Sequence, residues 1–252
     1  MNKLRPLTIK ISIVLTAILM ACEPSDPSKT ENEEKNMEEN AVSNMSGIYS
    51  DVSSYAQERK TEFDQIPADR KKQLDEVAGF LGSKLSKAEI PQLVFICTHN
   101  SRRSHISQIW AQASARIYGV YGVECYSGGT EVSAFNPRGI EALKRCGFKI
   151  EEIIPGDNPI YHVYYAGDAV PVKAWSKKYD DIKNPRKEFC AIMTCSQADE
   201  ACPVVSGAAE RISLPYEDPK SADGQENEAE VYDERVKQIS REMLYLFSKV
   251  KI

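Results

Sequence analysis

Four apolar residues, Leu93-Val94-Phe95-Ile96, run into a polar turn, Cys97-Thr98-His99-Asn100-Ser101-Arg102-Arg103-Ser104, and the turn runs directly into a helical stripe. A short unbroken apolar run suits a strand buried on both faces, hence the interior of a parallel sheet. After the turn, Ile106, Ile109, Trp110, Ala113 and Ile117 recur at helical spacing between Ser104 and Tyr118. The order strand, loop, helix then repeats in outline. A second strand is predicted at Val123–Ser127, ended by Gly128-Gly129, and a helix from Asn136-Pro137 to Arg145, stopped by Gly147. A third strand covers Phe189–Thr194 and a short fourth Arg211–Leu214. The closing helix runs from Glu228 to Val250, with Val231, Val236, Ile239, Met243, Leu246 and Phe247 inward. This alternation predicts an α/β fold: a small parallel sheet with helices on both faces, occupying 91–252.

Composition removes whole classes of function. The chain has 252 residues, 42% hydrophobic and 27% charged, which is one ordinary domain with appendages and neither collagen-like nor disordered throughout. A formal net charge of −5 without a long basic run argues against nucleic acid as a partner. Seven cysteines are too sparse for a disulfide scaffold, and three histidines are too few for most His-rich metal sites. No metal and no cofactor is expected.

The residues before 91 divide into three. Lys3, Arg5 and Lys10 precede an apolar run, Ile11–Ala21, in the manner of a signal peptide at 1–22. Its end, Leu19-Met20-Ala21-Cys22, resembles a bacterial lipoprotein signal, in which Cys22 receives lipid and becomes the mature N-terminus. An ordinary signal peptide cut near Ala21, or an uncleaved anchor, are the alternatives. Residues 23–45 are polar and acidic, too poor in apolar groups to fold, and read as a disordered tether. The expected location is therefore outside the cytoplasm, lipid-anchored to a bacterial membrane in the periplasm or at the cell surface. From 46 to 90 comes a helical extension: one helix about Tyr49–Phe63, another about Ala68–Lys87 with Pro67 at its start and Leu74, Val77, Ala78, Leu81 and Leu85 as its stripe. These helices either pack on the main domain or reach a partner.

The turn carries the chemistry. Ligands bind at the carboxyl ends of parallel strands. A helix N-terminus there offers free backbone N–H groups and partial positive charge, which attract an anion. Arg103 adds a planar fork for two oxygens of a tetrahedral oxyanion. The same field favours the thiolate of Cys97, and Ser104 can donate to its sulfur. The result is a nucleophile beneath a bound oxyanion, with Thr98, His99, Asn100, Ser101, Arg102 and Arg103 forming the cradle.

These residues resemble the active-site loop of the low-molecular-weight protein tyrosine phosphatase family, which includes the thioredoxin-coupled arsenate reductases. His99 stands where the family usually has Gly, and Arg102 where it often has a second Cys; Arg102 is expected to add charge at the rim. The family's general acid lies in an Asp-Pro pair, which Asp218-Pro219 matches, with Glu217 as an adjacent donor and a plain turn as the bland reading. The resemblance leaves two activities. A tyrosine phosphatase needs only Cys97, Arg103 and Asp218 and usually offers aromatic rings after Asp-Pro; here Lys220-Ser221-Ala222 follow, and Tyr216 precedes. An arsenate reductase also needs a thiol relay and a thioredoxin-like reductant. Cys195 and Cys202 follow the third strand, and their position and separation resemble that family's redox segment; residues seven apart on a helix lie roughly 10 Å apart, so pairing them requires unwinding. Other readings remain open: a structural Cys195–Cys202 disulfide, and an oxyanion-binding or redox-sensing lipoprotein without turnover. Cys125, Cys146 and Cys190 read as buried fillers. The Tyr-rich stretch 158–180, with His162 and Trp175, is a hairpin or lid beside the site, or a packed surface insert.

Overall fold

The computed structural model describes residues 47–251. The expected signal peptide at 1–22, Cys22 and the expected acidic tether at 23–45 lie outside these residues. Among the described residues no helix is long and apolar enough to cross a membrane.

The elements, in order, are α1 Ser50–Lys60, α2 Ala68–Leu85, β1 Gln92–Cys97, α3 Arg103–Ile117, β2 Glu124–Gly129, α4 Pro137–Arg145, β3 Lys149–Ile154, β4 Ile160–Tyr164, β5 Val172–Ala174, β6 Phe189–Met193, α5 Ser196–Ala201, β7 Ala208–Ser213 and α6 Glu228–Ser248, with single 3-10 turns at Phe63–Gln65 and Pro219–Ala222. Strands pair in the order β2-β1-β6-β7, all parallel. The two inner strands are the two with continuous apolar sequence, as burial on both faces demands. Leu93 and Phe95 face a large core built with α1, α2, α3, α4 and α6, whereas Val94 and Ile96 face a smaller one with Ala198 of α5 and Val205. Helices thus cover both faces, very unequally: one six-residue helix stands against all the long ones.

The N-terminal helices pack on the domain. Val52 and Ala56 of α1 and Leu74, Val77 and Leu81 of α2 are buried in the same cluster as Trp110. Trp110 anchors that cluster, its ring 5.4 Å from Tyr55 and 5.0 Å edge-on to Phe148. Helix α3 is buried on nearly every side, Ser104, His105, Ser107 and Ser114 being as inaccessible as Ile106 and Ile109. Small polar residues there let the sheet and α6 approach closely.

Strand β2 is an edge, and its outward carbonyls would template further pairing if left bare. Three side-chain amides cover them: Gln112 Nε2 donates to Val123 O at 3.2 Å, Gln108 Nε2 to Cys125 O at 2.9 Å, and Asn184 Nδ2 to Ser127 O at 3.0 Å. Beyond β2 lies a second, antiparallel sheet in the order β3-β4-β5. Its β3 strand was not foreseen. Lys149–Ile154 is exposed almost throughout, so its sequence shows no alternation to read. The Tyr-rich stretch is therefore a hairpin, and its far end returns to the main sheet: Gly129 N donates to Lys177 O (2.8 Å) and Tyr179 N to Gly129 O (2.9 Å).

Gly129 itself is a requirement of this crossing. A Cβ there would lie 2.7 Å from both Asn100 N and Thr98 O, so any side chain would push on the cysteine loop.

Lys177 is only 4% exposed. Its Nζ lies 4.3 Å over the Trp175 ring, and burial pushes its ammonium from 10.5 down to about 8, with Asp181 opposing. Between those values the unfolded chain holds a proton that the folded one has released, so stability rises with pH across that interval, by about 3 kcal/mol for a shift of this size. Lys177→Met removes this rise. Urea unfolding at pH 7 and pH 10 is expected to show the variant ahead at the lower pH and the gap closing at the higher; a gap independent of pH would mean that Lys177 is not held in a low-dielectric site.

Candidate active site

The loop begins where β1 ends and stops where α3 begins, so its conformation is set at both ends by buried elements. Cys97 is 3% exposed, and its Sγ lies 3.1 Å from Ser104 Oγ. Asn100 Nδ2 donates to the same Oγ at 2.9 Å. With one lone pair so occupied, the Ser104 hydrogen is free to point at the sulfur. Asn100 sits at φ +44°, a region that Asn tolerates better than most residues, and its Oδ1 accepts from Lys177 N at 2.9 Å. One asparagine therefore links the sulfur's donor to the insert.

No side chain caps the first turn of α3, which leaves its N–H groups open to an anion at the loop. The other loop side chains buttress the turn. Ser101 Oγ donates to Ala134 O (2.7 Å), while His99 O accepts from Ser176 Oγ (2.9 Å) and Ser133 Oγ (3.2 Å). The His99 imidazole is half-exposed, 3.2 Å from Glu131. Thr98 Oγ1 lies 3.4 Å from Cys195 Sγ and 3.4 Å from Gln197 Oε1.

Above the loop opens a cleft of about 760 Å³ whose walls include His99, Arg103, Gln197, Glu217, Asp218 and Lys220. Across it Arg103 reaches Asp218 Oδ2 at 2.8 Å and Tyr216 O at 3.0 Å. Asp218 uses its other oxygen to accept from Lys220 N (3.1 Å), capping the 3-10 turn that begins with Pro219. The guanidinium fork and the candidate acid thus meet in the cleft, while Cys97 lies buried at the start of the loop and is not among the residues lining it. A tetrahedral oxyanion entering the cleft would exchange its oxygens for the carboxylate on Arg103, freeing Asp218 to hold a proton at the leaving oxygen.

Arg102 is not at the rim. Its Nε donates to Tyr232 Oη at 2.8 Å and its second arm reaches Asp223 Oδ2 at 3.3 Å, while Tyr232 Oη donates to Asp223 Oδ1 at 2.7 Å. It ties the loop to α6 and to the turn after Asp218 and does not line the cleft. Tyr216 is corrected likewise: its ring is buried and its hydroxyl donates to Glu242 Oε2 at 2.8 Å, so it offers no stacking face. Sequence reasoning missed Lys177, Ser176, Asp223 and Tyr232; of these only the length of the 158–180 stretch gave any signal.

The cysteines separate by surroundings. Burial pushes the thiols of Cys125 and Cys190 up, and that of Cys146 to about 12, as suits fillers. Cys195 caps the N-terminus of α5, its Sγ accepting from Ala198 N at 3.3 Å, and shares a buried cluster with Cys97. Cys202 ends the same helix, packs against that cluster and is partly accessible. All six cysteines among the described residues are free thiols, so the structural Cys195–Cys202 disulfide is not formed in this structure.

Residues 92–157 match the family model of low molecular weight phosphotyrosine protein phosphatase. An arsenate reductase 2 of Staphylococcus saprophyticus is 28% identical over 129 residues, 50% of this chain and 77% of that protein. An arsenate reductase of Bacillus licheniformis is 26% identical over 160 residues, 62% of this chain and 94% of that protein. Among solved structures, a YwlE mutant from Bacillus subtilis is similar at TM-score 0.45 and 14% identity, over 64% of this chain and 99% of the other. Over residues 92–157, which build the cysteine loop, this chain is similar to the low molecular weight phosphotyrosine protein phosphatases, and over about half its length or more to arsenate reductases.

Proposed function

We propose that the chain is an enzyme that reduces arsenate through Cys97, with Cys195 and Cys202 as a thiol relay. The observation that carries this reading is the place of Cys195: buried, in the same cluster as Cys97, and in contact with Thr98, the residue after the nucleophile. A phosphotyrosine phosphatase has no use for a thiol there. The cleft supports the same direction, since His99, Arg103, Glu217, Asp218 and Lys220 line it, the hydroxyl of the buried Tyr216 is held by Glu242, and Trp175 lines a different cavity.

The steps follow from the side chains. Arsenate occupies the N–H groups of the loop and the fork of Arg103. The Cys97 thiolate forms a bond to arsenic(V), and an arsenate oxygen leaves as water with a proton from Asp218. The Cys195 thiolate then attacks Cys97 Sγ. The S–S bond forms, the S–As bond breaks, and its electron pair stays on arsenic, which departs as arsenite. Cys202 next attacks Cys195, moving the disulfide to 195–202 and returning Cys97 as a thiol. An external dithiol protein of thioredoxin-like kind supplies the two electrons that close the cycle. The proposal keeps export and the Cys22 lipid anchor, so that this reductant is an exported one.

Three proteins test it against arsenate and an aryl phosphate in parallel. Cys195→Ser and Cys202→Ser are each expected to abolish multiple turnover of arsenate while retaining aryl-phosphate hydrolysis, and Cys202→Ser to accumulate a Cys97–Cys195 disulfide visible by mass spectrometry of peptides. Asp218→Asn is expected to slow aryl-phosphate hydrolysis by about 10²- to 10⁴-fold. Arsenate reduction at the parent rate in both cysteine variants would end the relay reading. Phosphotyrosine hydrolysis without any arsenate reduction would put the phosphatase in its place, and oxyanion affinity without product a binding protein.

A further inference from the structure

A second cavity, of about 460 Å³, lies between the β2 edge and the insert, and no residue lines both it and the cleft. Lys173, Lys177 and Lys183 converge on it, and none of them has a carboxylate within ion-pair distance among the described residues. Lys177 is the unusual one, since a nearly inaccessible ammonium is costly unless something compensates its charge. The Trp175 ring does so in part, 4.3 Å from Lys177 Nζ and 5.6 Å from Lys173 Nζ, and Asp181 acts on Lys177 from beyond ion-pair distance.

A second observation is independent of the lysines. Gln108, 4% exposed, spends its Nε2 on Cys125 O, but its Oε1 is buried at the cavity wall without a hydrogen-bond partner. Glu124, the one carboxylate in the wall, is occupied by Gln92 Nε2 and the Tyr126 hydroxyl, each at 2.7 Å. Tyr165, Pro171 and Val172 complete an apolar side. The wall therefore offers cations, one vacant acceptor and apolar surface.

We propose that this cavity is a binding site for a small organic anion: a carboxylate or phosphate among the three ammonium groups, an N–H or O–H donor on Gln108 Oε1, and an apolar body against Tyr165 and Pro171. The site lies behind the cysteine loop, because the Lys177 backbone N–H holds Asn100 and the Ser176 hydroxyl holds the His99 carbonyl.

The two tryptophans make the test direct. Trp110 is fully buried and reports folding, while Trp175 lines the cavity. Phenyl phosphate, benzoate and inorganic phosphate are titrated into the full chain, and the indole N–H resonances are followed. The Trp175 signal is expected to move saturably with phenyl phosphate or benzoate, about tenfold more tightly than with inorganic phosphate, and Trp110 to stay in place. Lys177→Met should abolish the shift, and Arg103→Met, which disables the cleft, should preserve it. A Trp175 signal that does not move, that moves equally in Lys177→Met, that is lost in Arg103→Met, or that responds to inorganic phosphate as strongly as to the organic anions would each overturn the proposal. Failure here leaves the reading of the cleft untouched, since that rests on Cys97 and Cys195.

Discussion

The hydrogen bonds of the Asn100 side chain are the point on which the site depends. Asn100 stands in the middle of the cysteine loop at φ +44°, a region that Asn tolerates better than most residues. The same side chain then does two further things. Its amide nitrogen fixes the Ser104 hydroxyl against Cys97, and its amide oxygen receives the backbone of Lys177. Aspartate would keep the second contact but could not donate the first. Glycine would keep the conformation and lose both. The orientation of the hydroxyl beside the Cys97 sulfur is thus set by a residue that carries no charge.

The insert gains its purpose from this dependence. A parallel sheet that ends at β2 has a bare edge beside its own active loop, and the chain covers that edge with amide side chains and with residues 176–184. Covering it brings a lysine into an almost water-free place, at a cost in stability near neutral pH. The chain could have covered the edge with an apolar residue. That it uses a lysine, beside an unsatisfied Gln108 oxygen, is why the cavity there reads as more than packing.

What the sequence made legible follows from where burial leaves a pattern. Leu93–Ile96 and Phe189–Met193 are buried on both faces and read at once as inner strands, and Asn136-Pro137 marked the start of α4 through its cap, the Asn136 side chain accepting from Arg138 N. Cys97, Arg103 and Asp218 were legible as candidates because the chemistry expected of them needs those residue types at a strand end, a helix start and a loop, which is where the fold puts them. Strand β3 was not, because an exposed strand such as Lys149–Ile154 shows no period. Nor was the fate of Arg102: its partners Asp223 and Tyr232 lie more than a hundred residues away, and only the fold brings them to it. Side chains that act across such distances leave no local mark.

The segment after β6 shows what the proposed relay asks of the fold. Helix α5 has six residues, too few to be stable alone, and it is held from β7: Arg211 donates to the backbone oxygens of Asp199 and Cys202, and Ser213 to the Asp199 carboxylate. Cys195 and Cys202 stand at its two ends. A disulfide between them cannot form while the helix is wound, since a disulfide needs Cα atoms within about 7 Å. Transferring the bond from 97–195 to 195–202 therefore requires α5 to unwind and the Arg211 contacts to break. Those contacts are few and partly solvated, so the step is accessible, and the residues released with it, Pro203 and Val204, already face solvent. Under the proposed relay, the same short helix that holds Cys195 beside Thr98 is thus the element whose unwinding would carry the disulfide outward.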